Sequence, residues 1–265
     1  LIGRKVTAIK CDDTRALGVE VNGTEFVPCD YVISDIHPIR TLELLDTRLI
    51  RPAYRNRVNN MSQTEGCFTL YVHFKEGRMP YMNHNYFAYD DIPWGCEDYD
   101  EQSWPKGWLY MHFCNEDKQA FAESGEIISY MNINDVLPWK CTNVGRRGQD
   151  YEAFKLEKAH KLMKSIERVF PGFSDAVADF HTSTPLTYLD YTGTANGSMY
   201  GIAKDINAGA GSRISYRTKV PNLFLTGQNI NSHGLLGTMV GTIVTCSAFV
   251  PSDEIYNQII NCRDK

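Results

Sequence analysis

Apolar and polar positions alternate in short runs over residues 3–11, 16–21, 24–27 and 30–34, which predicts four short strands. Asn22-Gly23 between the second and third is a hairpin signal, so the segment reads as a β-meander. "DYVISDIHP" then predicts a buried strand feeding a short helix through Leu42, Leu44 and Leu45. Residues 66–74, 84–89, 107–114 and 126–133 predict longer strands separated by loops carrying Pro80, Pro93 and Pro105, and hence an antiparallel sheet. Over 150–170 the period lengthens: Ala159, Leu162, Met163, Ile166, Val169 and Phe170 share a helical face, Glu157 can pair with Lys161, and Pro171-Gly172 stops the helix.

The run from Asn222 to Cys246, "NLFLTGQNINSHGLLGTMVGTIVTC", contains no Asp, Glu, Lys or Arg. Its apolar part, Leu235 to Val250, has only 16 residues, among them three Thr, a Ser and two Gly. A membrane span needs about 20 mostly apolar residues, so the run is not one. It predicts a buried strand at Leu223–Thr226, a polar turn over Gly227–Gly234, and a helix from Leu235 buried on all sides, with Ser232 as its cap. Gly237 and Gly241, four apart, let another backbone or a ligand approach one helical face. A strand entering a helix through such a turn presents free N–H groups and a positive dipole end, which suits a phosphate or an electron-rich ring. Gln228, Asn229, Asn231 and Ser232 add neutral hydrogen-bonding groups, and His233 could donate a proton there.

Composition narrows the chemistry. A net charge of −5 without a basic cluster beyond Arg146-Arg147 argues against a nucleic-acid partner. The eight cysteines form no CxxC pair or zinc spacing and read as reduced, mostly structural thiols. The acidic groups Asp90-Asp91 and Glu97-Asp98-Asp100-Glu101 read as solvated loops, so no metal site is expected. Sequons at Asn22, Asn60 and Asn196 read as chance matches, and the expected compartment is the cytoplasm. Ten of the 31 aromatic residues fall between Tyr81 and Phe113; Trp108 and Tyr110 are expected in the sheet core, whereas loop residues Trp94 and Trp104 could meet a membrane surface peripherally.

"RKVTAI", "RALGVEVNGTEFVPCDYVISDIHP", "VFPGFSDAVADFHTSTPLTYLDYTGTANGSMYG" and "VPNLFLTGQNINSHGLLGTMVGT" resemble, in that order, the latter part of the phytoene desaturase-like flavoproteins. That family includes phytoene desaturases, carotenoid isomerases and all-trans-retinol 13,14-reductases, and the "LTGQ…HGLLG" turn is most similar to the retinol saturase and isomerase branch. The resemblance implies an α/β (α+β) fold: part of an FAD-binding domain of the phytoene desaturase/amine oxidase type, plus an antiparallel-sheet substrate domain with covering helices. On that analogy residues 1–50 and 216–265 belong to the FAD domain and 51–215 to the substrate domain. Val6 would lie beside the adenine, Gly227 and Gln228 near the ribityl and diphosphate, and Gly234, Leu235 and Thr238 at the ring, with Asn229 and Ser232 as further cofactor-binding groups of the turn. Tyr188, Tyr191 and Tyr200 would line an apolar site for a lipophilic polyene.

The G-x-G-x-x-G turn that grips the diphosphate is not in this sequence; "AGAGSRIS" has Ile214 at its third place and reads as a loop. With Leu1 rather than Met at the start, the expectation is a C-terminal piece of a longer flavoenzyme that is inactive alone. The rival expectations are a non-catalytic module binding a hydrophobic ligand or a protein, and, within enzymes, a carotenoid isomerase or an amine oxidase-like flavoprotein. The sequence names no electron partner.

Overall fold

The computed structural model describes residues 2–90, 92–115 and 120–262; Asp91 of the acidic loop lies outside them. In chain order the strands are β1 (Val6–Cys11), β2 (Ala16–Val21), β3 (Glu25–Pro28) and β4 (Val32–Ser34), followed by helices α1 (Pro38–Glu43) and α2 (Pro52–Asn59). Strands β5 (Gly66–Phe74), β6 (Tyr86–Tyr89), β7 (Gly107–Phe113) and β8 (Ser124–Met131) come next. Then follow α3 (Gln149–Glu167), α4 (Phe173–Ala176), β9 (Val177–Ser183), α5 (Pro185–Tyr191), β10 (Leu223–Leu225), α6 (Gly234–Cys246) and α7 (Ser252–Asn261). Gly209–Ser212, in the "AGAG" segment, is a single 3-10 turn. Among the described residues no helix is long and apolar enough to cross a membrane.

The chain divides into two compact units: Leu1–Thr64, Thr192–Ala195 and Tyr200–Lys265 form the first, Glu65–Tyr191 and Asn196–Met199 the second. In the first, β1, β2 and β3 make the antiparallel meander, and Asn22 and Gly23 both take positive φ (52° and 74°), the conformation a two-residue hairpin turn needs. Strand β10 pairs in parallel with β4, Leu223 opposite Val32 and Leu225 opposite Ser34. Ile9, Val32, Leu42, Leu223 and Leu225 are part of the core of this unit.

The second unit holds a five-stranded antiparallel sheet in the order β6-β7-β8-β5-β9. Phe68, Leu70, Val72 and Phe74 alternate inward along β5 and share a core with Ala159, Leu162, Met163 and Ile166 of α3, as the helical spacing requires. Glu157 and Lys161 pair at 2.9 Å, and the Glu167 carboxylate accepts from the Gly172 and Ser174 amides to close the helix end. Trp108 and Tyr110 are core residues. Trp104 corrects the membrane expectation: it is 3% exposed, its Nε1 donates to the Tyr130 carbonyl at 2.7 Å, and the Lys158 ammonium sits 4.8 Å over its ring. A proline-flanked loop hid a side chain whose polar edge and π-face both have partners. Trp94 is exposed.

The Tyr110 hydroxyl is buried without a hydrogen-bond partner among the described residues. An unpaired buried hydroxyl carries its desolvation cost without return. Tyr110→Phe should therefore leave stability unchanged or raise it by up to about 1 kcal/mol. Urea unfolding of the two proteins checks this; a lower midpoint for the phenylalanine variant would show that the hydroxyl is satisfied.

Candidate functional site

The charge-free run forms strand, turn and helix as its pattern predicts, and the first unit anchors the strand through one side chain. Asn222, just before β10, is 7% exposed; its Oδ1 accepts from the Ala16 amide at 2.8 Å and its Nδ2 donates to the carbonyls of Ala16 (2.9 Å) and Asp30 (2.6 Å). The parallel pairing then runs on until the Thr226 amide donates to the Ser34 carbonyl at 2.9 Å. At Gly227 the backbone takes φ +85°, and a Cβ there would stand 2.0 Å from Asp35 Oδ1. Glycine is thus required twice, by the left-handed conformation and by the carboxylate against it. The turn closes with the Ile230 amide on the Gly227 carbonyl at 3.2 Å.

The chain then folds back on the helix it enters. A Cβ at Gly237 would meet the Ser232 main chain at 2.7 Å, and one at Gly241 would lie 3.6 Å from Asn231 Cβ. The backbone that approaches the Gly237/Gly241 face is therefore the turn itself. Thr245 Oγ1 donates to the Leu225 carbonyl at 3.2 Å and fixes the far end of α6 to β10.

Two features of α6 differ from expectation. Its N-cap is His233, without a side-chain cap, so Ser232 does not cap it. The helix is also not buried all round: only Gly241 and Thr245 are buried, whereas Leu235 (83%) and Leu236 (74%) stand in solvent with Met239, Val240, Ile243 and Val244. Hydropathy measures a preference for leaving water and does not say what in this chain covers the side chain. The first turn of α6 thus offers uncapped N–H groups beside exposed leucines.

A second segment completes the site. The Ile202 amide donates to Asn229 Oδ1 at 3.0 Å, the Lys204 ammonium donates to the Asn229 carbonyl, and His233 Nε2 lies 3.0 Å from the Ile202 carbonyl. Because a carbonyl only accepts, Nε2 carries the proton and Nδ1 is the acceptor. Tyr200 stacks on the His233 ring, centroids 5.5 Å apart and planes 15° apart. Burial holds the His233 pKa below the usual histidine value, and the Lys204 charge pushes the same way against the Ile202 bond. His233 is therefore neutral at pH 7.

The sequence-predicted residues Gly227, Gln228, Asn229, Ser232, His233, Gly234, Leu235 and Thr238 lie together on the turn and the start of α6, with Tyr200 joined to them through His233. Val6 pairs with Val21 on the meander, away in sequence from the turn. Tyr188 and Tyr191 belong to the second unit: the Tyr188 hydroxyl accepts from the Cys67 thiol at 3.2 Å, and Tyr191 is exposed. Asp35, Lys204 and Asn222 went unnoticed in the sequence.

The uncapped first turn fits an electron-rich group, and it is open around Gly234, where a Cβ would meet no atom within 4 Å. The mixed helix-and-sheet fold is shared with an oxidoreductase from Methanosarcina mazei of known structure, at TM-score 0.56 and 14% identity, over 91% of this chain and 48% of that one. No family model matches the sequence. It is similar to all-trans-retinol 13,14-reductase of Homo sapiens (29% identical, 46% of this chain, 20% of that protein) and of Danio rerio (23%, 97% and 46%). It is also similar to 4,4'-diapolycopene oxygenase of Methylomonas (26%, 95% and 49%). The chain thus spans between a fifth and about half of the length of these relatives. The sequence is thus similar, along most of its length, to oxidoreductases of the retinol saturase and phytoene desaturase-like kind.

Proposed function

We propose that the chain supplies the ring-facing strand–turn–helix and the antiparallel-sheet domain of an FAD-dependent oxidoreductase that acts on carbon–carbon double bonds of a polyene lipid, most like an all-trans-retinol 13,14-reductase. The observation that carries the reading is the uncapped, solvent-facing first turn of α6 behind the Gly227 turn, in a chain similar over 97% of its length to the retinol reductase of Danio rerio. The flavin, when bound and reduced by an external electron donor, would supply the electron pair that reducing a double bond requires.

The chain's own residues have three tasks in this reading. The amides of Gly234, Leu235 and Leu236 place the positive end of α6 where negative charge is favoured. Leu235 and Leu236 present an apolar surface that excludes water from a flat ring or polyene laid on it. His233 holds its proton at Nε2 on the Ile202 carbonyl, which fixes the ring against Tyr200 and leaves Nδ1 as the acceptor. Tyr188, Tyr191 and Tyr200 remain the substrate-side candidates, and Val6 the adenine-side one.

The test is the visible absorbance of the full-length protein before and after adding FAD, followed by turnover of retinol-type polyenes. An oxidised flavin spectrum is the expected result. A colourless protein that takes up no FAD would overturn the oxidoreductase reading and favour a binding module that uses the exposed face of α6.

A further inference from the structure

Lys204 is a titratable group at the turn to which the proposed function gives no task. Its ammonium donates to the Asn229 carbonyl, in the middle of the Gly227–Ile230 turn, and is half-buried there. An ammonium has three donors, and this bond uses one. Among the described residues Lys204 has no ion-pair partner. The charged or titratable groups that face it are His37 before α1, His233 at the head of α6 and Arg213 after the "AGAG" turn, all neutral or cationic.

We propose that Lys204 is an anion-binding point of the turn: the ligand held at Gly227–Ser232 carries a phosphate or other anionic group, and that group pairs with the Lys204 ammonium. The reasoning is electrostatic. A cation taken partly out of water with the Arg213 charge nearby, and without a counter-ion, costs free energy that an incoming anion returns. Burial, with the Arg213 charge adding to it, pulls the Lys204 pKa down to about 8, which measures the same imbalance. The proposal rests on the flavin reading only for the identity of the ligand. A dinucleotide diphosphate and a free inorganic anion satisfy the same chemistry.

The sign of the pH dependence follows from linkage. An anion raises the Lys204 pKa, so the bound state holds the proton more tightly than the free state and protonation favours binding. Affinity should be level from pH 6.5 to about 8 and then fall, approaching tenfold per pH unit, until the pKa of the bound state is passed. His37 and His233, both held below the usual histidine value mainly by burial, are already neutral in that window, and Arg213 stays charged.

The experiment uses the full-length protein with two probes, FAD by fluorescence quenching and inorganic sulfate, a dianion throughout this range, by its competition with FAD and its shift of the melting temperature. Wild type should show the fall above pH 8. Lys204→Met should bind at least tenfold more weakly at pH 7 with a flat profile, and Lys204→Arg, which keeps its charge, should be flat to pH 9.5 without the loss. The methionine variant removes a half-buried charge and keeps the stem, so a melting curve no lower than wild type's confirms folding. Equal affinity of wild type and Lys204→Met, or a methionine variant that keeps the slope, overturns the proposal. If FAD does not bind but sulfate raises the melting temperature of wild type more than that of Lys204→Met, the flavin reading fails and the anion site stands. If neither probe distinguishes the two proteins, the anion site is wrong.

Discussion

Gly227→Ala is expected to lower the stability of the chain by about 1–3 kcal/mol and to weaken FAD binding by the full-length protein tenfold or more. Two costs add. An alanine at φ +85° adopts a conformation that L-residues avoid, worth about 1–2 kcal/mol. Its Cβ would also stand 2.0 Å from Asp35 Oδ1, so the carboxylate or the turn must move. A second substitution separates them. Asp35→Ala in the Gly227→Ala background should return the part due to the clash and leave the backbone part, read as a melting temperature between those of the single variant and wild type. If Gly227→Ala melts and binds FAD like wild type, the turn does not need its left-handed residue, and the geometry assigned to the site is wrong.

Much of this site could be read along the chain because its determinants are local. A strand, a glycine turn and a helix follow one another within Leu223–Cys246, and the Gly237/Gly241 spacing foretold a close backbone approach. The same locality shows the Asn22-Gly23 hairpin and the α3 stripe. What stayed hidden depends on partners distant in sequence. Nothing near Trp104 announces Lys158 over its ring, and nothing near Lys204 announces the Asn229 carbonyl. The exposure of α6 was hidden for a different reason. A helix that is apolar on every side has no polar stripe to mark the solvent face, so hydropathy alone reads it as core. Ser232 illustrates the limit of the cap rule: it stands one residue before the N-cap that the backbone selects.

Asn222 is the strongest case of a residue whose role sequence alone conceals, since it bonds Ala16 across 206 positions. Asn222→Ala should destabilise the chain by about 1–3 kcal/mol, because one change strands the buried Ala16 amide and leaves the carbonyls of Ala16 and Asp30 with the Arg15 guanidinium as their remaining side-chain donor. The loss should reach the site as well, since Asn222 leads directly into the strand that delivers Gly227. Asn222→Asp separates polarity from volume. The aspartate has nearly the same shape and can still accept from the Ala16 amide, yet it faces two carbonyl oxygens with acceptors where the amide had donors. It should therefore be at least as unstable as the alanine variant, and raising the pH above the carboxyl range should make it worse, because ionisation removes the one proton it could donate. Chemical denaturation at pH 5 and pH 8 measures both effects. An aspartate variant as stable as wild type would mean that packing, and not this three-way hydrogen bond, holds β10 in its parallel register beside β4.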